Sequence, residues 1–345
     1  MRRLQVAALA AAILLLTLPS RARISAAAPP CDIAGVDRIV AVGDVHGAYD
    51  RFVQVLQAAR VIDARSRWIA GRTHLVQLGD VLDRGPDSRR ALDFLRALED
   101  QAHSAGGAVH ALLGNHEVAR LLGDLRYTTP GEFAAFTTPT SERLRSTFIA
   151  QSPRGDRERL QKDTPLGWVE MRTAMSRKGD YGQWLRSHDA VVRVNGIVFV
   201  HGGISSDIAG RSCGDINGDI RRELGPDEDL TRQAPLESLA ASTSGPLWYR
   251  GLAQEPDTFE NRFDQILKSE HARAMVIAHT VVPGGRVGVR FKDKLFEIDT
   301  GMQPAYVPDG RASALQIEGN VVTAIYTDRS DVLATLEDAA PTRGR

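Results

Sequence analysis

The chain has 345 residues, 43% of them hydrophobic and 25% charged, the composition of a soluble globular protein and not of a mainly disordered one. Its 43 basic residues balance 43 acidic ones, so no net field favours nucleic acid or an anionic membrane surface. An anionic substrate must then be held by a few local charges.

At the N-terminus Arg2 and Arg3 precede the apolar stretch "LQVAALAAAILLLTL", and "ISAAAPP" offers small residues for cleavage. This pattern predicts a secretory leader over residues 1–28 and an exported, periplasmic mature chain that meets the membrane only transiently, through its leader. The alternative is an uncleaved anchor, for which the stretch is short against the roughly 20 residues a span needs. Cys31 and Cys213 are the only cysteines. In an oxidising compartment they could pair, and two free thiols are equally compatible with the sequence.

From residue 37 onward, short apolar runs each stop at a polar residue: "RIVAVGD" at Asp44, "HLVQLGD" at Asp80, "AVHALLGN" at Asn115, "GIVFVH" at His201 and "ARAMVIAH" at His279. Such runs read as buried strands. The stretches "DRFVQVLQAARVI" and "DSRRALDFLRALEDQAHSA" between them carry apolar residues at helical spacing. The alternation predicts an α/β fold, a layered sheet with helices outside it, whose ligands gather beyond the carboxyl ends of the strands. Residues 119–190, polar and arginine-rich, read as a helical insertion packed over that rim. "ALQIEGNVVTAIY" reads as a hairpin turning at "EGN", the domain is expected to close near residue 330, and residues 331–345 read as a C-terminal tail whose end, "EDAAPTRGR", is frayed.

The strand ends carry the chemistry. Asp44 and His46 are two apart, so an extended chain turns both to one side of the strand end. "GDVLDRG" adds Asp80, Asp83 and Arg84, and "GNHE" adds Asn115 and His116. An aspartate after a strand often only caps a turn, but three such corners in succession are not expected by chance.

"GDVHG", "GDVLDRG", "GNHE", "HGG" at 201–203 and "AHT" at 278–280 resemble the motif series of calcineurin-like metallophosphoesterases. The arginine in "DRG" is similar to the phosphoprotein phosphatase branch. The longer stretch from "LVQLGD" to "GNHE", with "GDLRY" and "GPLWYRG", resembles the Shewanella-like protein phosphatases. That resemblance implies a sandwich of two β-sheets flanked by helices, with two divalent ions (manganese, iron or zinc) at its rim. Asp44 and His46 would hold the first ion, Asp80 would bridge, and Asn115, His201 and His279 would complete the second. Mixed oxygen and imidazole donors suit those metals better than calcium or structural zinc. The resemblance also implies that Arg84, with Arg250 as its candidate partner, grips phosphate, and that His116, oriented by Asp83, is the general acid. The expected reaction is single-step hydrolysis of a phosphomonoester by metal-bound hydroxide, the substrate being a phosphorylated protein or peptide or a small phosphoester.

Two other readings stand beside the protein phosphatase: a diadenosine tetraphosphatase-like hydrolase and a non-catalytic metal-binding scaffold. "GRSCG" at 210–214 lacks the preceding strand of a nucleophile elbow and reads as a polar loop. "GGRVG" at 284–288 reads as a hairpin turn, and His74, His103, His110, His188 and His271 read as surface or strand residues. Asp299 in "EIDTG" reads as a rim residue or a turn cap.

Overall fold

In the computed structural model, which describes residues 30–225 and 238–337, the apolar runs become strands. The expected leader and the last eight residues lie outside the described residues. In chain order the strands are β1 (Asp32–Ile33), β2 (Arg38–Val42), β3 (His74–Gln77), β4 (Ala108–Ala111), β5 (Val191–Val194), β6 (Ile197–Val200), β7 (Ala274–Ile277), β8 (Gly288–Arg290), β9 (Leu295–Glu297), β10 (Ser313–Glu318), β11 (Val321–Tyr326) and β12 (Ser330–Thr335). They form two sheets, ordered β12-β11-β10-β2-β3-β4 and β1-β5-β6-β7-β9-β8.

Strand alternation builds two apolar layers. Ile39 and Ala41 of β2 join Val76, Phe199, Val276 and Phe296 in the layer between the sheets. Val40 and Val42 face the other way, towards Phe52, Leu56, Leu95 and Leu98 of helices α1 (Tyr49–Ala58) and α2 (Ser88–Ser104). A strand buried on both faces needs no polar alternation, which is why these runs are continuous in sequence. Each buried Leu, Ile or Val contributes about 1.5–3 kcal/mol.

The topology aims six strand ends at one rim. Strands β2, β3 and β4 run parallel in one sheet, and β6, β7 and β9 run parallel in the other. Five of them are the runs singled out in sequence. The sixth, β9, leads into Asp299.

Several expectations need correction. Residues 330–335 form edge strand β12 paired to β11, so the fold extends into the stretch read as a tail. At the other end β1 lies before residue 37 and pairs in parallel with β5, and the preceding Cys31 is bonded to Cys213 at the start of α9 (Cys213–Glu223). Ser212 in "GRSCG" is not in a free loop; its Oγ accepts from the Asp215 N–H at 3.1 Å and caps α9. "GGRVG" leads into β8, and the β8–β9 hairpin itself turns at residues 291–293, all with φ of +52° to +63°. The hairpin at residues 319 and 320 is as expected, with Gly319 supplying a φ of +58°.

The insertion is helical but covers the rim only in part. It holds the end of α3 (Asn115–Leu121) and then α4 (Pro130–Ala134), α5 (Ser141–Gln151), α6 (Arg157–Asp163), α7 (Trp168–Met175) and α8 (Asp180–Ser187). Helix α8 lies along α2, where Trp184 Nε1 donates to Glu99 at 2.8 Å and the Tyr181 hydroxyl bonds Asp93. Contacts with the rim come from Arg120, Tyr127, Thr128 and Glu132, in the first part of the insertion.

Candidate metal centre

Five loops following strand ends bring the singled-out side chains together. Asp44 and His46 leave β2; Asp80, Asp83 and Arg84 leave β3; Asn115 and His116 open α3 after β4; His201 and His279 end β6 and β7. Their backbones are forced there: His46, Asp80, Asp83, Arg84 and His279 all have φ between +48° and +68°. Left-handed backbone at such residues costs about 1–3 kcal/mol each and persists only where surrounding contacts impose it. The corners also touch closely. A Cβ on Gly114 would stand 2.2 Å from Asp80 Oδ1, so only glycine lets the third corner approach the second.

Asp80 is the hub. His201 Nε2 lies 3.3 Å, His46 Nε2 3.7 Å and His116 Nε2 3.8 Å from its Oδ2. Two triads, His46 with Asp80 and His116, and Asp80 with His201 and His279, each gather their donor atoms within 4.8 Å of one another and share Asp80. Asp44 sits beside both, with Oδ2 3.6 Å from His46 Nε2 and Oδ1 accepting the His279 N–H at 3.1 Å. Asn115 Oδ1 lies 3.0 Å from His201 Nε2. All six expected ligands are therefore neighbours, with His116 on the edge of the first group.

The donor set fits divalent ions. His46 Nδ1 lies 2.9 Å from the Leu82 carbonyl and His201 Nδ1 2.7 Å from the Leu78 carbonyl. A carbonyl only accepts, so both Nδ1 atoms carry hydrogen and both Nε2 lone pairs face the cluster. His279 Nε2 is buried with no hydrogen-bond partner, an orphan that a cation would satisfy. Carboxylate, amide and imidazole donors without thiolate suit manganese, iron or zinc.

Electrostatics point the same way. Burial drives His46 down to about 4 and His279 down to about 2, so both imidazoles are neutral, the form that binds metal. Burial and the facing carboxylate raise Asp44, and burial raises Asp299 to about 6, so the pair retains one proton between them. Burial also opposes ionisation of Asp80, but the adjacent His201 and His116 outweigh it and hold its pKa low. On His116 burial opposes the charged form, and Asp80 and Asp83 overcome it.

The two arginines differ in setting. Arg84 is half-buried, its guanidinium carbon 3.7 Å from the Tyr306 ring centroid and 5.0 Å from that of Tyr127. Arg250 is exposed and donates to the His279 carbonyl at 2.9 Å and to Thr280 Oγ1 at 3.0 Å, beside the second triad. His116 Nδ1 lies 2.7 Å from Asp83 Oδ2, as an oriented imidazole requires.

Sequence reasoning passed over Glu117 and Gln303 at the site, weighed Asp299 without deciding its role, and misplaced His188, which lies away from it. Buried Glu117 accepts from the N–H groups of Asp80, Val81, Leu82 and Gly114 at 2.7–3.2 Å, clamping the second corner to the third. Its spacing, three residues after Gly114, is a capping-box signal that could have marked it. Asp299 combines both roles weighed for it, accepting the Gly301 N–H at 3.0 Å while facing Asp44. Gln303 donates to the His46 carbonyl at 3.0 Å and fixes the loop carrying Tyr306, for which no local sequence signal exists. His188, expected at the surface or in a strand, has a side chain only 9% exposed beneath α8, with neither ring nitrogen hydrogen-bonded.

Comparison with known proteins agrees with this geometry. The family model described as calcineurin-like phosphoesterase matches residues 37–283. An uncharacterized protein of Schizosaccharomyces pombe is 32% identical over 84% of this chain and 80% of its own. Shewanella-like protein phosphatase 2 of Arabidopsis thaliana is 28% identical over 84% of this chain and 78% of its own. Among solved structures, the cold-active protein-tyrosine phosphatase of a psychrophilic Shewanella species superposes with a TM-score of 0.68 at 29% identity, covering 88% of this chain and 82% of that one. From the rim of six strand ends, the shared aspartate and a family match over most of its length, the chain belongs to the calcineurin-like phosphoesterases.

Proposed function

We propose that this chain is a binuclear-metal protein phosphatase of an exported compartment, hydrolysing phosphomonoesters with a preference for phosphotyrosine. The observation that carries the reading is the juxtaposition, at one rim, of the Asp80-centred ligand cluster, the His116–Asp83 pair and Arg84 under two tyrosine rings.

Asp44, His46, Asp80, Asn115, His201 and His279 would hold two divalent ions, which when bound would lower the pKa of water and withdraw charge from phosphoryl oxygens. Arg84 offers a planar fork of donors to two phosphate oxygens, with Arg250 supplying charge from the side of His279. Water attacks phosphorus in line with the ester oxygen; the new P–O bond forms as the ester bond breaks. His116, with Nδ1–H donated to Asp83, gives its Nε2 proton to the departing oxygen. Tyr127 and Tyr306, 37% and 43% exposed, offer ring faces to an aromatic leaving group, which supports the phosphotyrosine preference, as does the similarity to a protein-tyrosine phosphatase. Export is supported by the composition of residues 1–28 and by the Cys31–Cys213 bond.

Initial rates of the manganese-loaded mature chain on phosphotyrosine, phosphoserine and phosphothreonine peptides and on diadenosine tetraphosphate test the reading. Phosphotyrosine peptides are expected to turn over fastest. Turnover of the dinucleotide alone would move the assignment to nucleotide hydrolysis, and inactivity towards all four would favour the scaffold.

A further inference from the structure

Behind the His116–Asp83 pair lies a buried ionic extension, Arg120 and Glu132, that the chemistry above does not use. Arg120, 1% exposed, belongs to the same helix as His116 and follows it by four residues, so both reach Asp83 from one face of α3. The Asp83 carboxylate is divided between them: Oδ2 meets His116 Nδ1 at 2.7 Å, and Oδ1 accepts Arg120 Nη2 and, at 3.1 Å, the Thr128 hydroxyl. Arg120 Nη2 also donates at 2.9 Å to Glu132 Oε1, and that same oxygen accepts the Asp83 backbone N–H at 3.0 Å. Glu132 is fixed in turn by the N–H of Thr129, the N-cap of α4, which donates to its other oxygen at 2.9 Å.

The contacts close a ring from the Asp83 carboxylate through Arg120 and Glu132 to the Asp83 backbone. A carboxylate held at both oxygens and at its own N–H cannot rotate, and neither can an imidazole hydrogen-bonded to it. Surface ion pairs gain little, but truncating one partner of a buried pair strands the other.

We propose that Arg120, locked by Glu132 of the insertion, is a positioning residue for proton donation, holding Asp83 so that His116 Nε2 stays aimed at the departing oxygen. The inference rests on the phosphatase reading above and adds to it the part of the insertion that serves the chemistry.

Leaving-group dependence provides the test, because an ester with a very acidic leaving group needs no general acid. The manganese-loaded mature chain and its Arg120→Gln, Arg120→Lys, Glu132→Gln and His116→Asn variants are assayed on dinitrophenyl phosphate and on phenyl phosphate. In Arg120→Gln, kcat on phenyl phosphate is expected to fall about 10–100-fold and kcat on dinitrophenyl phosphate by no more than about threefold, with KM little changed. Arg120→Lys should recover part of the loss, and Arg120→Gln combined with His116→Asn should be no slower than His116→Asn alone. Equal losses on both esters, or additive losses in the double variant, would overturn the proposal. Should Arg120→Gln fail to fold, Glu132→Gln, which keeps an accepting oxygen, decides by the same ratio. A wild type that hydrolyses neither ester would instead defeat the phosphatase reading itself.

Discussion

The guanidinium carbon of Arg84 lies 3.7 Å from the centroid of the Tyr306 ring, and the same ring meets His46 edge-on with centroids 5.8 Å apart. One tyrosine thus joins the arginine proposed to grip phosphate to a histidine proposed as a metal ligand. Stacking restricts a long, flexible side chain beside the ligand cluster. A cation–π contact of this kind contributes about 0.5–2 kcal/mol, so Tyr306→Ala is expected to raise KM for a phosphoester roughly 2–30-fold. Tyr306→Phe keeps the ring and should stay near wild type. Steady-state kinetics check both, and a Phe variant as impaired as Ala would assign the effect to the hydroxyl.

Asp80 serves both triads, so its loss should empty the centre and not merely weaken half of it. Asp80→Asn is expected to bind fewer than two ions per chain by elemental analysis and to lose activity. Manganese should raise the melting temperature of the wild type and leave the variant unmoved, since binding to the folded state alone stabilises by about 2.7 kcal/mol at a hundredfold excess over Kd. A variant retaining both ions would remove Asp80 from the bridging role.

Metal affinity should depend on pH through Asp44 and Asp299. Asp299 is raised to about 6 in the metal-free fold, and the pair holds a proton that a cation must displace. Affinity is expected to weaken as pH falls through about 6, with proton release on binding measurable by calorimetry in buffers of different ionisation enthalpy. For the metal-free chain the sign reverses. A carboxyl raised on folding favours the fold below its folded pKa, and that contribution is lost as pH rises through about 6. Affinity independent of pH between 5 and 7, a window chosen to span the value of about 6, would contradict the shared proton.

His188 provides a pH test remote from the metal. Burial, with Arg221 adding to it, lowers this histidine to about 3, while Trp184 packs on its ring and Glu99 lies 3.6 Å away. A histidine whose pKa is depressed on folding destabilises the fold as pH falls below its unfolded value near 6.5, by about 2 kcal/mol at pH 5. His188→Leu lacks that cost, so its stability relative to wild type should improve steadily from pH 7 to pH 5 in denaturant titrations, the range just below the ordinary histidine pKa of about 6.5. The opposite trend would show that Glu99 holds a charged His188.

Cys31 and Cys213 are 182 residues apart, so their bond closes a long loop of the unfolded chain and pins β1 beside β5. Replacing Cys213 by Ser is expected to cost about 2–5 kcal/mol of stability in urea unfolding while leaving kcat near wild type, since neither cysteine belongs to the ligand cluster. Loss of activity in a fully folded variant would tie β1 to the site.

How much of this was legible follows from how local each feature is. Strands β2, β3, β6 and β7 could be read because burial on both faces writes itself into consecutive residues, and half-buried β4 because its run continues through buried Leu112 and Leu113; the ligands that end them could be read because each lies within a few residues of its strand. Strand β12, only partly buried at a sheet edge, carries no such signature and was taken for tail. His188 looked like an ordinary surface histidine because its burial is created by α8, α2 and α9, elements brought together from across the chain.

The sequence by itself determined which residues gather: three short motifs behind three parallel strands bring aspartate, asparagine and histidine to one rim, and their resemblance to a known motif series supplied the expectation of a metal centre there. Only the tertiary structure decided what surrounds that rim. The Tyr306 ring on Arg84, the Arg120–Glu132 lock on Asp83, the Asp44–Asp299 pair and the bond from Cys31 to Cys213 all join residues far apart in the chain or in separate elements. Such contacts depend on the packing of the two sheets and on the path of the insertion, which no local pattern of apolar and polar residues encodes.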